Sequence, residues 1–383
     1  MTKFMLLGIA LVLFGGIIFV RAANSKMPAT VYDDPISQRL ETIRVKHNVP
    51  AIAVAVVLDG KIVATNAVGF RRKGGPERVT VADKFHLGSI TKSMTATLAA
   101  RLVEEGKISW TNTVGEVFSD FKNEIDPDYR GVTLEQLLAQ RGGAPGNAPK
   151  NLWANAWKAT GTPTEQRLEF VKGLLTLKPE AKPGSKYIYS NQGYAVAGAM
   201  LEKKTGIAWE DLMRKYLFEP LQMNSAGFGA PATIGKVDQP WGHISSSGLI
   251  PVPPDDPHAD NPAAIGPAGT VHCSIEDLAK YAAFHLAGDR GDGKLLKPES
   301  FKKLHTAIPD NNNYALGWVV LKRKWAGGRV LWHNGSNTMF YAVVWIAPNR
   351  NFAVVAASNA GGSDAEKACD DAATEMIRKF LPE

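Results

Sequence analysis

Residues 51–70 read AIAVAVVLDGKIVATNAVGF, two β-rich runs on either side of Asp59-Gly60. Asp-Gly between such runs is a strong short hairpin signal, because a two-residue turn needs positive φ at both central positions. The C-terminal part mirrors this. Val330 to His333, Met339 to Ile346 and Phe352 to Ala357 read as three strands, the last two joined by Pro348-Asn349-Arg350. Pro35 to His47 reads as a short helix with Ile36, Leu40, Ile43 and Val45 near one face, and about Asp364 to Leu381 as a closing amphipathic helix. Short strands without helices between them favour an antiparallel sheet built from both termini. The fold class expected is therefore α/β of the α+β kind, an antiparallel sheet flanked by helices, with a helix-rich stretch of roughly 85–310 inserted as a second lobe. Between Pro251 and Pro267 lie six prolines and no helical period, which predicts a long stiff loop of the sort that borders sites.

At 383 residues, 45% apolar and 21% charged, the chain is an ordinary globular sequence with room for a large core. Phe4 to Val20 is an uninterrupted apolar run behind Lys3, and Val20-Arg21-Ala22 suits a signal peptidase. Residues 1–22 thus read as a signal peptide or an N-terminal membrane anchor. Cleavage is favoured, residues 30–383 form the functional domain, and that domain is expected outside the cytoplasm, periplasmic or extracellular. Loss of Lys3 and Arg21 would bring the formal charge from +7 to +5, spread without a basic stripe, so nucleic acid is not an expected partner. A membrane is a partner only if the segment is retained. Cys273 and Cys369 read as separately buried small apolar residues. The eight histidines show neither His-Glu-x-x-His nor paired ligand spacing, so no metal or other cofactor is expected.

Three short motifs carry the chemistry: Ser89-Ile90-Thr91-Lys92, Tyr189-Ser190-Asn191 and His333-Asn334-Gly335. Each is weak alone. Ser-x-x-Lys recurs at Ser300-Phe301-Lys302-Lys303 and His-x-Gly at His86-Leu87-Gly88. Ile90, Met94, Leu98 and Leu102 fall four apart, so Ser89 opens a helix that Gly106 stops, with Lys92 one turn along the same face. A serine hydroxyl needs an adjacent base, and lysine can serve when burial destabilises its ammonium. The helix N-terminus beside Ser89 suits a developing oxyanion. Tyr189, at a loop-to-helix junction, could shuttle a proton between serine and leaving group, and Asn191 could hold an acyl amide or orient Lys92. Taken alone, Asn191 also reads as a helix N-cap. Gly335 lets a substrate lie against a strand edge, the Ser336 N–H could be a second oxyanion donor, and His333 could meet a substrate carboxylate.

This set resembles the serine β-lactamase and penicillin-binding peptidase superfamily, most closely the class C-like branch, which includes esterases and D-amino-acid peptidases. The flanks PGSKYIYSNQGYAVAGAMLEKKTG, GPAGTVHCSIEDLAKYAAFHL and NYALGW are similar too, and the resemblance covers roughly residues 35–381. It implies a β-lactamase/transpeptidase-like fold with a cleft between sheet and helical lobe. It also implies nucleophile Ser89, base roles for Lys92 and Tyr189, substrate binding by Asn191, His333, Gly335 and Ser336, and an oxyanion hole of the Ser89 and Ser336 N–H groups. Two departures bear on substrate. His333-Asn334-Gly335 stands where class C β-lactamases have Lys-Thr-Gly, and a mostly neutral histidine suits a carboxylate less. Gln140-Arg141-Gly142-Gly143 stands where the family commonly has a His-Thr-Ser-Gly-like stretch, which leaves that wall of the cleft undefined.

The function expected is an exported serine hydrolase that forms a Ser89 acyl-enzyme and hydrolyses an ester, amide or lactam bond. Its partner would be a small molecule or a peptide, cell-wall peptides included. Peptidase or esterase activity is favoured over dedicated lactamase activity. The competing readings are a true class C-like β-lactamase and a non-catalytic cell-wall binding or sensor module of the same fold.

Overall fold

The computed structural model describes residues 32–245 and 248–381; the apolar run Phe4–Val20 and the cleavage expected after it lie outside them. In chain order the elements that matter here are helix α1 (Pro35–Lys46), strands β1 (Ala51–Leu58) and β2 (Lys61–Gly69), helices α2 (Thr91–Glu104), α3 (Asn191–Thr205) and α4 (Ile275–Asp289), strands β3 (Val319–Arg323), β4 (Gly328–Ser336), β5 (Tyr341–Ala347) and β6 (Phe352–Ser358), and helix α5 (Ser363–Phe380). The six strands form one antiparallel sheet in the order β2-β1-β6-β5-β4-β3. The first and last parts of the chain therefore meet at its centre, as the sequence pattern predicts.

The hairpin turn sits where expected, with Asp59 at φ 52° and Gly60 at φ 74°. Val57 faces Ile62 but Val56 faces Ala64, so Val63 bulges out of the ladder. Strand β1 is buried on both faces because the sheet is covered on both. Ile52, Val54 and Val56 pack with Leu40 of α1 and Ala368, Ala372 and Met376 of α5. Ala53 and Ala55 look the other way, into the core shared with the inserted lobe. There α4 lies directly against β1 and β6. Its approach is possible because the inner face is largely alanine: Ala53, Ala55, Ala342, Ala353 and Ala357.

The lobe is threaded by α2, whose residues Thr91 to Ala100 are all buried. A helix buried all round belongs at the middle of a packed unit. A single helical turn, Gly88–Ile90, precedes it. The predicted loop 251–267 is shorter than expected. Pro251 lies in an edge strand, Leu249–Val252, where a missing N–H is tolerated, and Ala263–Gly269 closes into helical turns. Both cysteines are buried and unpaired.

Candidate active site

Ser89 sits on the turn ahead of α2, and Lys92 follows in the first turn of that helix. Lys92 has no solvent exposure, and its Nζ lies 3.0 Å from Ser89 Oγ. Two further oxygens contact it: Asn191 Oδ1 at 2.7 Å and the Ala268 carbonyl at 2.8 Å. Among the described residues no carboxylate faces the amine. Burial pushes its pKa well below the ordinary lysine value. The rings of Tyr189 and Tyr194, 4.8 and 5.7 Å away, pull the other way and favour the ammonium. Complete burial is the dominant influence and disfavours the charged form, so the amine is held neutral.

A neutral amine has two N–H bonds and one lone pair. Asn191 Oδ1 and the Ala268 carbonyl can only accept, so together they use both N–H bonds. The lone pair is left for the third contact, the Ser89 hydroxyl, which can donate. This arrangement makes Lys92 an acceptor for the serine proton without further rearrangement.

Asn191 is free to do this because Ser190, not Asn191, caps α3: Ser190 Oγ accepts from Gly193 N at 3.1 Å. Beside it the Tyr189 phenol lies close enough to Ser89 for the serine to act on its pKa. Tyr189 keeps 38% of its surface open, yet its hydroxyl end is held away from water. That burial raises its pKa above the ordinary phenol value, against the lowering effect of Ser89. The phenol therefore stays protonated near neutral pH and can donate; a phenolate base is disfavoured.

The third motif crosses the first at backbone contact. A Cβ on Gly335 would stand 2.1 Å from Leu87 O and 2.4 Å from Ser89 N, and one on Gly88 would stand 2.3 Å from Ser336 N. Two glycines facing each other thus bring the Ser89 and Ser336 nitrogens to one crossing. The Ser336 side chain is occupied elsewhere, donating to the Phe340 carbonyl at 2.6 Å. His333 is 3% exposed, and burial pushes its pKa down to about 4 against the raising effect of the Asn334 carbonyl. Its Nδ1 lies 2.5 Å from that carbonyl, so Nδ1 carries the proton and Nε2 is a bare acceptor without a hydrogen-bond partner among the described residues. A cavity of about 590 Å³ opens beside these groups, lined by Tyr187, Tyr189, Tyr314, His333 and Asn334.

The wall left undefined by the sequence is a brace. Gln140 adopts φ 60°, and its Oε1 accepts from Ser190 N at 2.8 Å, while its carbonyl accepts from Ile188 N at 2.8 Å. It holds the Tyr189 loop from behind. Neither this brace nor the Ala268 carbonyl was legible beforehand. Backbone oxygens leave no sequence signal, and a glutamine in left-handed conformation is unusual enough that none would be assumed.

Comparison with known proteins gives the family and the fold. The family model described as Beta-lactamase matches residues 34–375. Penicillin-binding protein 4 of Amycolatopsis lactamdurans is 26% identical over 335 residues, covering 85% of this chain and 84% of that protein. Protein flp of Staphylococcus aureus (strain MW2) is 22% identical over 334 residues, covering 87% of this chain; the match spans only 64% of that longer protein. Among solved structures, the octameric penicillin-binding protein homologue from Pyrococcus abyssi superposes with a TM-score of 0.72 at 25% identity, covering 91% of this chain and 78% of that one.

Proposed function

This chain belongs to the Beta-lactamase family, a family of serine hydrolases, and on that premise we propose that it forms an acyl-enzyme on Ser89 and hydrolyses an ester, amide or lactam bond. The observation that carries the reading is the hydrogen-bond inventory of Lys92, a buried amine whose two N–H bonds are taken and whose lone pair faces Ser89. Ser89 Oγ attacks the carbonyl carbon as its proton passes to Lys92. The oxyanion forms between the Ser89 and Ser336 N–H groups. Lys92, now an ammonium, returns a proton through Tyr189 to the leaving atom, and the bond to it breaks. Water then attacks the ester as the same pair takes its proton, and Ser89 regains its hydrogen as the acid departs.

The substrate we favour is a small carboxylic ester, or a D-amino-acid peptide, cell-wall peptides included, that brings no free carboxylate to His333, rather than a β-lactam. A neutral His333 offers no cation to a carboxylate, and its free Nε2 would repel one. Export outside the cytoplasm rests on the apolar run Phe4–Val20 alone.

Intact-protein mass spectrometry with a penicillin and with an activated ester tests the reading, alongside Ser89→Ala. A Ser89-dependent adduct that persists with penicillin and turns over with ester is the expected result. Rapid penicillin turnover without accumulation would make the protein a lactamase instead. Absence of any adduct or hydrolysis with either reagent would leave a binding module.

A further inference from the structure

His86-Leu87-Gly88 repeats the His-x-Gly spacing three residues ahead of the nucleophile. The His86 ring has no solvent exposure. Its Nδ1 accepts from the Gly88 N–H at 3.0 Å, so that nitrogen holds a lone pair and the ring proton lies on Nε2. Nε2 is 2.6 Å from Asp260 Oδ1, and neither atom has a hydrogen bond elsewhere among the described residues. The two atoms face each other at close range, the Nε2 side of the ring toward the carboxyl oxygen.

Asp260 belongs to the proline-rich segment that borders the site. Its neighbour Asn261 donates through Nδ2 to the Gly269 carbonyl at 2.7 Å, directly after Ala268, whose carbonyl accepts from Lys92. Gly269 in turn lies against Gly88: a Cβ on it would stand 3.6 Å from the Gly88 carbonyl carbon. Gly88, at φ 49°, is the residue pressed onto Ser336. One side-chain pair thus joins two backbone segments, the turn that presents Ser89 and the turn that holds Lys92. A carboxylate kept mostly out of water costs more than an apolar pair of the same volume, so stability alone does not favour it here.

We propose that Asp260 and His86 are positioning residues for acyl transfer: they hold the Gly88 peptide and the Ala268 carbonyl in register, and through them the Ser89 N–H, Ser89 Oγ and the Lys92 lone pair. This rests on Ser89 being the acylated residue. Asp260 touches no reacting atom, so its removal should slow the chemical step and spare binding. A displacement of about 1 Å at such groups can cost on the order of a hundredfold in rate.

The test is single-turnover acylation of the full chain by a p-nitrophenyl ester, with Asp260→Ala, Asp260→Asn and His86→Leu run beside the parent, and thermal midpoints recorded for each. Asp260→Ala is expected to acylate at least tenfold more slowly with an ester affinity within twofold of the parent. Asp260→Asn, which keeps an oxygen that can accept from Nε2–H, should recover part of the loss. Parent-like acylation in both Asp260→Ala and His86→Leu would overturn the proposal. So would equal slowing in the Asp260→Ala and Asp260→Asn variants in step with a fall in thermal midpoint, because the pair would then be a stability element. If His86→Leu fails to fold, the two Asp260 variants decide the matter, since that side chain retains some solvent exposure. A parent protein that takes no acyl group at all would overturn the Ser89 reading, and this inference with it.

Discussion

Replacing Gly335 by alanine places one methyl group where two backbone segments touch. The new Cβ would stand 2.1 Å from Leu87 O, 2.4 Å from Ser89 N and 2.9 Å from the Gly88 carbonyl carbon, whereas ordinary contact begins at 3.4 Å. All three neighbours are main chain, so no side-chain rotation relieves the clash. Gly335 has no left-handed φ, and the perturbation is therefore purely one of space. Strand β4 must retreat from the Ser89 turn by about 1 Å to restore contact distances, which draws the Ser336 N–H away from the oxyanion. Misplacement of that size, or loss of one oxyanion donor, costs about 10²–10³-fold in rate. Overpacking should lower stability by about 1–3 kcal/mol. The assay is kcat/KM with an activated ester together with the thermal midpoint. Gly131→Ala serves as control, because a Cβ there meets nothing within 4 Å. A Gly335→Ala protein with kcat/KM within threefold of the parent would refute the idea that the two glycines bring the oxyanion donors together.

Lys92→Met should abolish acylation and also change how stability depends on pH. The folded pKa of Lys92 lies below its unfolded value near 10.5, so between the two the unfolded chain binds one more proton and the parent gains stability as pH rises. Any midpoint advantage of Lys92→Met near pH 7 should therefore shrink toward pH 10; a difference that does not vary with pH would mean that Lys92 is charged in the folded protein. His333→Lys should raise acylation by penicillin about tenfold relative to a neutral ester, measured by adduct formation over time, and an unchanged ratio would discount charge at this position as the determinant of substrate.

What could be read beforehand was local. The Asp59-Gly60 turn, the apolar i+4 ladder of α2 and the Ser-x-x-Lys spacing each lie within a few residues, and each declares its own geometry. The sheet from both termini was legible because its strands are short apolar runs without helices between them. Strand β3 was not, since Val319–Arg323 has only a partial apolar alternation and lies half-exposed at the sheet edge. Asn191 had two readings, cap or ligand, and only the observed bond from Gly193 N to Ser190 Oγ separates them. Gln140 with Ser190, and His86 with Asp260, stand far apart in the chain and meet only after folding. Motif spacing carries no information about such pairs.

Strand β1 has its partner β6 at the opposite end of the chain: Asp59 and Asn351, which bond to each other beside the hairpin turn, are 292 residues apart. Synthesis at about 5–20 residues per second leaves β1 waiting on the order of 15–60 s for that partner. During this time the β1–β2 hairpin, with α1 against one face, presents an unpaired, wholly apolar edge, AIAVAVVL. Loop closure over that length is also slow, because its entropy must be lost before the sheet returns any energy. A chain interrupted just before Phe352 is thus not a smaller version of this protein but a helical lobe carrying two sheet fragments, the β1–β2 hairpin and β3–β5, without the strand that joins them.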